Sequence, residues 1–82
     1  MDFSGKTTVI TGGASGIGFA LAKALGKRGS RIIIFEPREA QLRDAVNSLE
    51  NAGVDAKYFV GDVTKRDEVE ALADFAWSEN GR

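Results

Sequence analysis

Gly12, Gly16 and Gly18, inside the segment Thr11-Gly12-Gly13-Ala14-Ser15-Gly16-Ile17-Gly18, carry the chemistry this sequence offers. Gly12 allows a sharp exit from a strand. Gly16 lets the main chain approach a pyrophosphate with no Cβ in the way, and Gly18 lets the following helix pack close to a sheet. The N–H groups at that helix start, with roughly half a positive charge from the helix dipole, then face the phosphates. Ser15 adds a hydroxyl donor. Eighteen residues after Gly18 comes Glu36, where a carboxylate takes the hydroxyls of an adenosine ribose. Glycine spacing alone describes any tight strand-to-helix turn. The run before it, the periodic stretch after it and Glu36 beyond together point to nucleotide binding.

These residues need elements to hold them. Thr7 to Thr11 (TTVIT) is short, apolar and β-branched, as a buried strand ending in a turn should be. Ile17, Ala20, Leu21, Ala24 and Leu25 fall at i, i+3, i+4, i+7 and i+8 and predict one buried helical face. Lys27 and Arg28 suit the negative end of that helix, with Gly29 as its left-handed cap. Arg31 to Phe35 (RIIIF) is apolar without alternation, which predicts a strand covered on both faces. Beyond Pro37, a second helix is predicted from Leu42, Ala45, Val46, Leu49 and Ala52, stopping at Asn51-Ala52-Gly53. Ala56 to Val60 (AKYFV) reads as a third strand.

Gly61-Asp62-Val63 leads to Thr64, whose hydroxyl is expected to cap a third helix with Asp67 three residues on. Val69, Leu72, Ala73 and Ala76 would be that helix's apolar stripe, Phe75 and Trp77 lying off it, and Asn80-Gly81 would close it. The resulting βαβαβα order implies parallel strands with right-handed crossovers. The expected fold class is α/β, a partial three-layer Rossmann-type sheet with strand order 3-2-1 and the first strand at the free edge. The third helix should cover the face opposite the other two. Residues 1–82 read as one domain, without repeat or linker.

Composition narrows the function classes. The 82 residues hold 11 basic and 12 acidic side chains, for a net charge of -1, with neither cysteine nor histidine. A balanced charge gives no electrostatic case for nucleic acid or an anionic membrane. Lack of cysteine and histidine removes disulfides, thiolate nucleophiles, the usual zinc ligands and the commonest general base, and with them most hydrolase chemistry. No apolar run approaches the ~20 residues that span a bilayer, and the start is not a secretion signal, so a cytoplasmic location is the default expectation.

The TGGASGIG string, with TGxxxGxG spacing, then Glu36, then Gly61-Asp62-Val63, closely resembles the N-terminal part of the classical short-chain dehydrogenases/reductases. The resemblance covers the whole chain. It implies that the glycine motif holds the cofactor pyrophosphate, that the acidic residue binds the adenosine ribose, and that the Asp-Val pair lies along the adenine. By resemblance these roles fall to Gly12, Ser15, Gly16, Ile17, Gly18, Glu36, Asp62 and Val63. Asp62 also has a plainer reading, as a turn residue before Thr64, and Val63 as partly core. Glu36 favours NAD over NADP: two like unit charges ~4 Å apart cost about 1 kcal/mol in water and about 4 at an effective dielectric of 20, roughly tenfold or more in affinity. Arg38 reads as a solvated residue at the helix start, or as a group that neutralises a phosphate. Pro37 takes the position where NADP enzymes of the family often carry Arg.

The family's catalysis resembles proton transfer through Tyr-x-x-x-Lys with an upstream serine, beside an Asn-Asn-Ala-Gly segment after a fourth strand. Here the only tyrosine is Tyr58, and four residues on stands Asp62, so Tyr58 reads as packing. The expectation is therefore a cofactor-binding N-terminal portion of an NAD-dependent alcohol/carbonyl oxidoreductase, inactive by itself. The alternative is a stand-alone module that binds a nucleotide or a partner and transfers no hydride. The apolar edge of the first strand further predicts self-association.

Overall fold

A computed structural model describes residues 5–12 and 16–79. The elements alternate: β1 (Thr7–Thr11), α1 (Gly16–Lys27), β2 (Arg31–Glu36), α2 (Glu39–Asn51), β3 (Ala56–Val60) and α3 (Arg66–Glu79). The strands form one parallel sheet with β2 in the middle, Thr7 opposite Arg31 and Ile32 opposite Ala56. The 3-2-1 order and the edge position of β1 are those the alternation implied.

Parallel pairing with crossover helices covers both faces of β2, so Ile32, Ile33, Ile34 and Phe35 are all buried. Ile32 and Ile34 point to one side, against Ala22, Leu42, Ala45, Val46 and Leu49 of α1 and α2. On the other side Ile33 and Phe35 meet Leu72, flanked by Phe59, Phe75 and Ala76. Thus α3 does cover the opposite face. Of the stripe expected for α2, Leu42, Ala45, Val46 and Leu49 are buried, whereas Ala52 is the exposed C-cap.

Two helix faces differ from expectation. In α1 the stripe Ile17, Ala20, Leu21 and Ala24 is exposed, Ile17 at 88%, and the packed face runs through Phe19, Ala22 and Leu25. This helix is apolar around most of its girth, so periodicity offers two faces. Contact selects between them: a Cβ on Gly26 would collide with the Val54 side chain, and Ala22 is fully buried, so α1 lies closest to its neighbours at Ala22 and Gly26, with Phe19 and Leu25 packing at the flanks. In α3, Leu72 and Ala76 pack as expected, but Val69 and Ala73 are exposed and Phe75 turns inward. Its ring lies 5.4 Å from Phe59, itself 5.9 Å from Phe35, an aromatic row whose area outweighs the smaller stripe residues. Trp77 stays exposed.

The helix ends follow the chain chemistry. At the end of α1 the amide of Ser30 donates to the Leu25 carbonyl and that of Gly29 to Gly26, with Gly29 left-handed as expected. The start of α3 departs from expectation, because Thr64 does not cap it. Thr64 instead donates both its amide and its hydroxyl to Asp62 Oδ1, and the helix begins at Arg66. Asn80-Gly81, the expected stop, lies outside the described residues.

Candidate functional site

All three strands end at the same edge of the sheet, and the candidate residues collect there. The Gly12 amide donates to the Phe35 carbonyl and the Gly61 amide to the Glu36 carbonyl, which ties the three exits together. Gly12 leaves β1 at φ 69° and Gly16 opens α1 at φ 61°. A Cβ at either would meet nothing within 4 Å, so glycine is required there by backbone conformation and not by crowding. Ile17 is exposed beside this turn and Gly18 is half-buried in the first turn of α1. Ser15, expected as a hydroxyl donor, lies outside the described residues.

Glu36, the last residue of β2, is only 4% exposed. A carboxylate so placed needs a countercharge. Arg38 supplies it: Nε lies 3.0 Å and one terminal nitrogen 2.8 Å from Glu36 Oε1. Arg38 is the N-cap of α2, and its side chain remains 66% exposed. The sequence reading of it as solvated is therefore half of the picture, because it is solvated and ion-paired at once.

After β3, Asp62 is half-buried and Val63 exposed. The Thr64 amide and hydroxyl reach Asp62 Oδ1 at 2.9 and 2.8 Å. These two bonds hold the Asp62 carboxyl below its ordinary range, with a smaller contribution from the charge of Lys65. The turn reading of Asp62 thus describes its contacts. Glu68 was missed by the sequence reasoning: its Oε1 accepts the Asp62 amide at 2.8 Å, and its Oε2 lies 3.8 Å from Lys65 Nζ. The available signal was an acidic first turn of a helix. Gly61 fits under this arrangement because a Cβ there would strike the Phe35 ring. Tyr58 packs against the core, as expected, and its hydroxyl donates to Glu39 Oε2 at 3.2 Å, linking β3 to the start of α2.

An open groove of about 450 Å³ runs between α1 and α2, lined by Gly16, Phe19, Arg38, Gln41, Asp44 and Ser48 among others. It shares Gly16 with the turn but does not include Glu36, Asp62 or Val63. Among the described residues there is no group of three metal-ligating side chains, and no helix is long and apolar enough to cross a membrane.

A parallel sheet with glycine turns and an acidic residue at its strand ends defines a Rossmann-type nucleotide fold, and the comparisons with known proteins agree. The short chain dehydrogenase family model matches residues 6–82, and the chain belongs to that family. It is 36% identical over 78 residues, 95% of the chain, to a peroxisomal 2,4-dienoyl-CoA reductase of Arabidopsis thaliana, of which this is 26%. Among solved structures it is similar to a short chain dehydrogenase/reductase from Burkholderia phymatum in complex with NAD (TM-score 0.91, 34% identity, 100% of this chain and 29% of that one). It is also similar to the actinorhodin polyketide ketoreductase with NADPH (TM-score 0.89, 36% identity, 93% and 29%). The chain spans less than a third of each of these proteins.

Proposed function

We propose that this chain is the cofactor-binding portion of an NAD(P)-dependent oxidoreductase acting on an alcohol or carbonyl, and that NAD is its preferred cofactor. The observation that carries the reading is the convergence at one sheet edge of two left-handed glycines, a helix start and a buried carboxylate. Amides after Gly12 and around Gly16, with the Ser15 hydroxyl, would bind the pyrophosphate, and Ile17 and Gly18 would flank it on the first turn of α1. Glu36 would accept the ribose hydroxyls, and Asp62 and Val63 would lie along the adenine. The residues fit such a group because Gly12 and Gly16 present left-handed main chain without a Cβ on either side of the segment and the acid sits where the strand ends. The bound nicotinamide would supply hydride exchange; this chain's part is to bind and orient the adenosine half.

The relatives bound to NAD and to NADPH support a dinucleotide of either kind, and Glu36 supports NAD as the better one. Isothermal titration tests the reading. ADP and NAD should bind almost equally and weakly, since the proposed contacts end at the pyrophosphate. Binding of NAD far tighter than ADP would contradict it.

The second partner we propose is another copy of this chain. Val9 is 38% exposed on β1, and no described strand lies on the outer side of β1. An open parallel edge with apolar side chains favours pairing.

A further inference from the structure

Glu68 is the third residue of α3, yet its carboxylate serves the loop before the helix. A glutamate at that position ordinarily reaches back to the amide of the residue preceding the helix. Here that amide, of Lys65, already donates to the Asp62 carbonyl at 3.0 Å. Glu68 Oε1 goes further back and accepts the Asp62 amide at 2.8 Å. Its side chain is one-third exposed and lies close over the exit from β3, since a Cβ on Gly61 would come 3.1 Å from Oε1. Oε2 lies 3.8 Å from Lys65 Nζ, so a cation stands beside the neighbouring carboxylates of Glu68 and Asp62.

The result is a loop whose polar groups are sorted. Gly61 donates to the Glu36 carbonyl, Asp62 to Glu68, Thr64 to Asp62 Oδ1 and Lys65 to the Asp62 carbonyl. From Gly61 to Lys65, the Val63 amide alone makes no hydrogen bond to another described residue. Both bonds from Thr64 fall on Asp62 Oδ1, which leaves Oδ2 for another donor. One N–H and one carboxylate oxygen, on adjacent residues, are thus left over while every other amide of the loop holds them. Without Glu68 the Asp62 amide would be a second free donor, and the Gly61–Asp62 peptide would lose the bond that orients it.

We propose, on the reading that Asp62 and Val63 lie along the adenine, that Glu68 is a positioning residue for that site: it touches no ligand, and by taking the Asp62 amide it fixes which polar atoms the loop presents to the base. The length of its side chain matters here more than its charge, because the bond must span from the helix to the loop.

Two variants separate those properties. Glu68→Gln keeps the reach and loses the charge; Glu68→Asp keeps the charge, remains suited to a first helical turn, and is one methylene too short. The ligands are 5′-AMP and inosine 5′-monophosphate, which share ribose and phosphate. Hypoxanthine replaces the amino donor and ring-nitrogen acceptor of adenine by an oxygen acceptor and an N–H donor, so it mismatches a carboxylate oxygen beside an N–H. The wild type should prefer 5′-AMP by about tenfold, the size of one net hydrogen bond. Glu68→Gln should keep that preference within about twofold, and Glu68→Asp should reduce it to about twofold or less.

An undiminished preference in Glu68→Asp would overturn the proposal. So would equal weakening of both nucleotides, the mark of a merely structural role, or a loss in Glu68→Gln as large as in Glu68→Asp, which would put the effect on charge. Equal binding of the two nucleotides by the wild type would overturn it as well and leave the pyrophosphate turn standing, whereas failure of the wild type to bind either would remove the adenosine site and this proposal with it.

Discussion

Asp62 shows how a single residue can be used twice, once through its side chain and once through its main-chain amide. Its carboxylate accepts the Thr64 amide and hydroxyl, and its amide is accepted by Glu68, so the loop after β3 is fixed from both ends. Those bonds favour the charged form and lower its pKa. The sign follows: the loop's contribution to stability is full above the unfolded carboxylate pKa and is lost as pH falls through the lower folded one. An NMR pH titration of the Asp62 carboxyl carbon should give a midpoint below 3.8, with the Thr64 amide shift moving at the same pH. A midpoint at or above 3.8 would mean that the turn does not form in solution.

At this scale the sequence was informative about residue type and less so about partners. Glu36 was identified from its spacing after the glycines, and its pairing with Arg38 was not. Nothing in the linear order says which of two neighbouring charges will turn inward. Glu68 was invisible for a related reason: an acid in the first turn of a helix is ordinary, and only the loop's path brings the Asp62 amide to it.

At the scale of elements, the packing of α1 depends on how closely its axis approaches the chain between α2 and β3. Gly26 lies against Val54 with no room for a methyl group. Gly26→Ala should therefore destabilise the fold by about 1–3 kcal/mol, although alanine is the better helix former, because overpacking outweighs propensity. Thermal or urea unfolding measures it, and Val54→Ala in the same chain should recover part of the loss. A stabilised Gly26→Ala would show that α1 sits far enough from Val54 to admit a methyl group. The same crowding explains why the α1 periodicity misled. Ile17, Ala20, Leu21 and Ala24 form a good helical stripe, yet the side with Ala22 and Gly26 is the one that can come close. Likewise α3 chose its face by the ring contacts of Phe75, which a count of apolar positions treats like any other residue. Strands were more legible, since β2 is buried on both sides and its unbroken apolar run has only one interpretation.

At the scale of the whole molecule, the alternation of elements was enough to give the sheet order, because parallel strands joined by short crossovers leave few alternatives. What alternation does not reveal is how much apolar surface faces outward. Val9 on the edge strand β1 is exposed, as are Ile17 and Leu21 of α1, and no described strand lies on the outer side of β1. Sedimentation velocity should accordingly show association that rises with concentration, and Val9→Lys should reduce it by charging the strand edge. A strictly monomeric wild type across that range would remove β1 as an interface.

The phosphates of a dinucleotide are proposed to bind at the glycine turn between β1 and α1. Diffraction from crystals soaked with NAD tests it most directly. Pyrophosphate density is expected against the main chain between Gly12 and Gly18, with the adenosine ribose at Glu36. A turn left empty, with the ligand bound elsewhere, would contradict it.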